Sequence, residues 1–130
     1  MAVDAQEMVA FARRFDPQPF HLSDDAAGPF GGLVASGWFT ASLWMRAYVD
    51  NVLGGADSRG SPGVDELRWR RPVRPGDVLT ATMTVLEAHR SASHPDRGTV
   101  TIAAEMVAAG GGVVMTMRAR AIFGVRPEPS

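Results

Sequence analysis

The stretch SGWFTASLWMRAYVDNVL, Ser36 to Leu53, decides the fold. Ser36 is a side chain that opens helices, and Gly54-Gly55 closes this one, so a helix is predicted from Ser36 to Leu53. Trp38, Phe39, Leu43, Trp44, Met45, Tyr48, Val49, Val52 and Leu53 surround most of its circumference, and Arg46 and Asp50 are its only charges. A helix apolar nearly all round is buried in a core. In a chain of 130 residues something must wrap it.

The residues after it supply the wrapper. Leu79, Ala81, Met83 and Val85 alternate with Thr80, Thr82 and Thr84. Val100, Ile102, Ala104 and Met106 alternate with Thr101, Ala103 and Glu105; Val113, Met115, Met117, Ala119 and Ala121 follow the same period beside Thr116, Arg118 and Arg120. Period two with one polar face predicts three antiparallel strands, joined at His94–Gly98 and at Gly110–Gly112. A fourth is predicted from about Val64 to Arg71, stopped by Pro72.

Before the long helix, Asp4 and Glu7 open a shorter one that ends at Arg14, ahead of the Asp16-Pro17 step. Ser23 to Ala27 reads as one short turn capped by Ser23, with Asp24 and Asp25 as first-turn acids. The predicted class is α+β, a single domain over residues 1–130.

Composition is that of a globular protein, 45% hydrophobic and 21% charged. A formal net charge of -1 argues against nucleic acid or an anionic membrane surface as the main partner. Without cysteine there is no disulfide, thiolate metal site or cysteine nucleophile. No apolar run reaches membrane-spanning length and the N-terminus carries no secretory pattern, so a cytoplasmic location is expected. No His, Asp and Glu cluster has metal-ligand spacing, and no metal is expected.

Asp16-Pro17-Gln18-Pro19-Phe20-His21 sets a carboxylate and an imidazole in a stiff relation, because two prolines fix the backbone between them. On the residues alone this is either a sharp turn or a site. Gly37 is likewise either a plain helix-opening glycine or a bare backbone donor at the positive end of a helix. Arg68, Arg70, Arg71 and Arg74 surround Trp69. They read as an edge strand kept soluble by charge; the alternative is that Arg70 or Arg74 meets a phosphate or an acidic partner helix. His89 and His94 sit in polar turn surroundings and are expected at the surface.

Three motifs in this order resemble the hot-dog fold, and within it the MaoC-like family of (R)-specific enoyl-CoA hydratases and dehydratases. Asp16-Pro17-Gln18-Pro19-Phe20-His21 is similar to the family's Asp-x-Asn-Pro-x-His. Phe30–Gly37 looks like the segment that leads into the family's central helix, and Arg71–Asp77 resembles the turn between its early strands. The chain departs from the pattern at its start. Family members begin with a further strand, and here that N-terminal edge strand is expected to be missing.

The resemblance implies an antiparallel sheet curled around the long helix, and hydration of 2-enoyl thioesters to (R)-3-hydroxyacyl thioesters or the reverse. Asp16 would act as general base, His21 would orient water and donate a proton, and Gly37 would offer its N–H to the thioester oxygen. Gln18, Ser36, Trp38, Phe39, Arg70 and Arg74 are the candidate substrate contacts. The substrate would be an acyl-CoA or acyl-carrier-protein thioester; coenzyme A enters with it, and no other cofactor is expected. Hot-dog domains pair edge to edge, so a homodimer at least is expected. A non-catalytic acyl-thioester-binding or assembly subunit is the alternative. A hot-dog thioesterase fits less well, because the long helix has no acid before Asp50.

Overall fold

A computed structural model describes residues 1–126. Helix α1 spans Ala5–Phe15, the single turn α2 spans Pro19–Leu22, and the central helix α3 spans Gly37–Asn51. Strands β1 (Gly63–Trp69), β2 (Leu79–Arg90), β3 (Arg97–Ala108) and β4 (Gly112–Gly124) follow. They form one antiparallel sheet in the order β1-β4-β3-β2.

α1 starts where Asp4 places its carboxylate on the Gln6 N–H, a one-sided cap without Glu7. Asp4→Ala is expected to cost about 1 kcal/mol, read as a lower urea midpoint; an unchanged midpoint would mean that the α1 start is held by packing alone. Met8 and Ala12 bury their side chains, one turn apart on the inner face.

β3 and β4 run longest and carry the core. Ile102, Ala104, Met106, Met115 and Ala119 point inward and are buried. Small residues at Ala104, Ala119 and Ala121 let α3 lie close to the concave face. The register slips between Val64 and Glu66, between Val85 and Glu87, and between Met106 and Val107. Such bulges sharpen the twist and help the sheet curl. The β3–β4 turn places Gly110 and Gly112 at φ of 72° and 79°, a conformation that favours glycine.

The central helix is covered on one side only, not around its whole circumference. Phe39, Thr40, Trp44 and Tyr48 are buried, whereas Trp38, Met45 and Val49 face outward. Four strands reach around one face of a helix, and the apolar outer stripe is left on the surface of the single chain. The edge expected to lack a strand has the beginning of one. The Val3 N–H donates to Asp77 O and the Leu79 N–H to Met1 O, and Ala2 bridges Val78.

Ser23–Ala27 forms no capped helical turn. The Asp24 carboxylate instead accepts the Leu33 N–H, and Asp25 accepts the Ala27 N–H. Both acids serve as loop braces. No helix among the described residues is long and apolar enough to cross a membrane.

Candidate active site

The two prolines do more than stiffen a loop. Pro19 is the first residue of α2, where its missing N–H has no helical partner to lose. That turn lifts His21 into the interior, 8% exposed. His21 Nδ1 lies 2.8 Å from Val34 O. A carbonyl only accepts, so Nδ1 carries the proton, and Nε2 is the nitrogen left to exchange one.

His21 Nε2 lies 3.3 Å from Asp16 Oδ2. The same oxygen accepts the Ser36 hydroxyl at 2.7 Å, and Oδ1 accepts the Gln18 amide at 2.6 Å. These two donors hold the Asp16 carboxyl below the usual carboxylate range, Gln18 more than Ser36; burial opposes them and the charge of His21 adds to them. Gln18 and Ser36 therefore touch the dyad itself. Ser36 is fully buried and positions Asp16.

A carboxyl whose pKa is lower in the folded than in the unfolded chain contributes stability that is complete above the unfolded value and lost as pH falls through the folded one. The gap in urea midpoint between wild type and Ser36→Ala is thus expected to narrow below about pH 4. A gap that stays constant down to about pH 2 would show that the hydroxyl does not favour the anion.

Both side chains border a cleft of about 300 Å³ or are bonded to its lining; His21, Gly37, Thr40, Trp69, Arg71 and Val114 form much of its wall. Gly37 is the first residue of α3, and its N–H has no acceptor among the described residues. It must be glycine for a reason that lies outside the substrate. A Cβ there would sit 2.3 Å from Cε2 of Trp69, whose indole lies against the Gly37 backbone.

The remaining candidates fall in different places. Arg70 lines the cleft and directs Nε to Thr116 Oγ1 at 3.1 Å. Arg74 is not part of that lining; it braces the preceding loop by donating to Phe30 O at 2.5 Å. Arg71, unassigned by the sequence, stands in the wall; its backbone N–H donates to Val114 O, and its guanidinium has no hydrogen-bond or ion-pair partner among the described residues. Phe39 is buried against Phe11, with ring centroids 5.7 Å apart, in the core under α1. Trp38 is exposed and meets Trp69 edge to face. Three partners went unseen: the Val34 carbonyl, the Ser36 hydroxyl as a ligand of Asp16, and Trp69. The first is backbone and carries no side-chain signal; the other two depend on contacts distant in sequence.

Comparison with known proteins gives the same frame. Residues 1–109 match the family described as MaoC like domain. Over 89 residues the chain is 28% identical to the uncharacterized protein YdeM of Bacillus subtilis, a match spanning 67% of this chain and 63% of that one. A MaoC-like dehydratase from Rhodospirillum rubrum superposes with a TM-score of 0.84 at 40% identity, covering 98% of this chain and 88% of the other. The (R)-hydratase from A. caviae involved in PHA biosynthesis superposes with a TM-score of 0.72 at 25% identity, over 96% of this chain and 90% of that one. With the site on α2 and α3 and a four-stranded sheet curled over one helix, the chain has the hot-dog fold and belongs to the MaoC-like domain family.

Proposed function

We propose that the protein adds water across the double bond of a 2-enoyl thioester to give an (R)-3-hydroxyacyl thioester, or removes it in reverse. The observation that carries this reading is the Asp16–His21 contact, 3.3 Å, with Nδ1 already committed to Val34 and the proton-exchanging nitrogen facing the carboxylate. A water beside both groups loses a proton to Asp16 as its oxygen bonds to C3. The π electrons move toward the thioester, whose oxygen takes a hydrogen bond from the free Gly37 N–H. His21, protonated on Nε2, gives that proton to C2. The proton on Asp16 then returns to His21 across the contact, and the pair is restored.

The cleft supports a thioester that arrives on a phosphorylated carrier. Arg70 and Arg71 stand in its wall, and the Arg71 guanidinium pairs with no anion among the described residues. Self-association belongs to the same reading. Among the described residues the outer edge of β1 is unpaired, and Trp38, Met45 and Val49 continue an apolar stripe beside Val64 and Trp69. Light scattering is expected to give at least the dimer mass, and a monomer would remove that part of the proposal.

The direct test is the loss of conjugated thioester absorbance with crotonyl-CoA and longer 2-enoyl-CoAs. Turnover on at least one is expected. A protein inert toward all of them and toward the matching carrier-protein thioesters would instead favour an acyl-thioester-binding subunit.

A further inference from the structure

Two polar side chains of the central helix fold back on its own backbone. Ser42 donates its hydroxyl to Trp38 O at 2.8 Å, and Asn51 donates its amide to Ala47 O at 2.8 Å. Thr40 does not do this. The carbonyl four residues before it, Ser36 O, accepts the N–H groups of Phe39 and Thr40. The Thr40 hydroxyl itself makes no hydrogen bond among the described residues, although the residue is only 2% exposed. A buried hydroxyl without a partner is costly, so its partner is to be sought outside the chain.

Thr40 stands in the wall of the catalytic cleft together with Gly37 and His21. Among the described residues, no fully buried side-chain nitrogen or oxygen lacks a hydrogen-bond partner. The Thr40 oxygen has none, so the little of this side chain that stays accessible includes that oxygen, and the space it meets is the cleft. Gly37 lies three residues earlier, and residues three apart are neighbours on a helix. Side chains on a helix tilt toward its N-terminus, so the hydroxyl lies over the turn that Gly37 opens. The start of α3 thus offers the cleft two donors with no acceptor among the described residues, a backbone N–H and a hydroxyl.

We propose that the Thr40 hydroxyl is a second donor to the thioester oxygen, acting with the Gly37 N–H. As the water oxygen bonds to C3, the π electrons of the double bond move toward the carbonyl and negative charge gathers on that oxygen. Two hydrogen bonds then share the charge. When His21 protonates C2 the carbonyl re-forms, and Thr40 keeps its own proton throughout. Donors set in place before the charge appears need no rearrangement as it forms. The inference rests on the thioester reading above and gives that reaction a further catalytic residue.

Thr40→Val keeps the outline of the side chain and removes the hydroxyl, whereas Thr40→Ser keeps the hydroxyl. With the preferred 2-enoyl-CoA, Thr40→Val is expected to lose roughly a hundredfold in kcat, and Thr40→Ser to recover most of it. Calorimetry with butanoyl-CoA and with S-butyl-CoA, the thioether that lacks the carbonyl oxygen, isolates that oxygen. Wild type is expected to prefer the thioester, and Thr40→Val to shrink the preference by about three- to tenfold. The urea midpoint of Thr40→Val is expected to equal or exceed that of wild type, because no hydrogen bond within the chain is lost. A clearly lower midpoint, or a variant that does not fold, would make the hydroxyl structural and overturn the assignment. An unchanged preference in Thr40→Val overturns it too, even with kcat reduced. The hydroxyl would then serve the attacking water beside Asp16, whose partner Ser36 lies one turn back on the same face. Wild type that binds butanoyl-CoA but turns over no enoyl thioester would end the hydratase reading alone, with the binding preference still deciding the role of Thr40. Failure of wild type to bind either ligand would end both.

Discussion

Asp16→Asn is expected to lower kcat with the preferred 2-enoyl thioester by about a thousandfold while leaving KM nearly unchanged. The replacement keeps the shape of the side chain and removes what the mechanism uses. An amide does not take a proton from water, and it lacks the charge that keeps the pair polarised. Its nitrogen would also face either the Gln18 amide or the Ser36 hydroxyl, both of which now donate to the carboxylate at 2.6 and 2.7 Å. His21→Ala is expected to lose a comparable factor, since it deletes the nitrogen that faces Asp16 Oδ2, gives its proton to C2 and takes back the one left on Asp16. Groups that act as a unit are not additive, so the double variant should be little worse than the poorer single one. Steady-state kinetics on proteins with matched urea midpoints reads this. Retention of more than about a tenth of wild-type kcat in folded Asp16→Asn would remove Asp16 as the base.

The anionic state of Asp16 shapes the pH profile of the same reaction. Gln18 and Ser36 keep it ionised to lower pH than an ordinary carboxylate. Protonation of Asp16 should therefore limit the free enzyme only below the usual carboxylate range, and Ser36→Ala should move that limb of kcat/KM upward. A limb that stays in place would assign it to another group.

Much of this was legible in the amino-acid order, and what was not has physical causes. Period two in Leu79–Val85, Val100–Met106 and Val113–Ala121 announces strands because side chains of a half-covered sheet must alternate, and those strands form β2, β3 and β4. The pairing of β1 with β4, which places Trp69 opposite Met115, is a long-range choice that local pattern does not encode. Asp16 and His21 stand out through the prolines between them. Their partners do not: Val34 contributes a carbonyl, and Ser36 reads as a helix cap although its hydroxyl turns 20 positions back to Asp16. The unbroken apolar surface of α3 pointed to complete burial within one chain. An apolar stripe left on the surface of the chain has the same composition as one destined for its core, so sequence alone does not separate them.

The buried side of that helix carries the largest expected stability effect. Trp44→Ala should cost about 3–5 kcal/mol. Trp44 is 3% exposed, stacks on Tyr48 with centroids 4.8 Å apart, and donates its indole N–H to Thr82 O at 3.1 Å. It thus fastens the middle of α3 to the edge strand β2, which is exposed along its far half. Alanine forfeits the transfer of a large ring, opens a void among Tyr48, Ala81 and Met83, and leaves the Thr82 carbonyl without this donor. Trp44→Phe separates these terms: it keeps most of the ring and loses the hydrogen bond, so about 1–2 kcal/mol is expected. Urea unfolding of the three proteins at one concentration reads both, because association would make the midpoint concentration-dependent. If Trp44→Ala cost under about 1.5 kcal/mol, α3 would not be held to β2 through this ring, and the helix would depend for its position on α1 and the rest of the sheet.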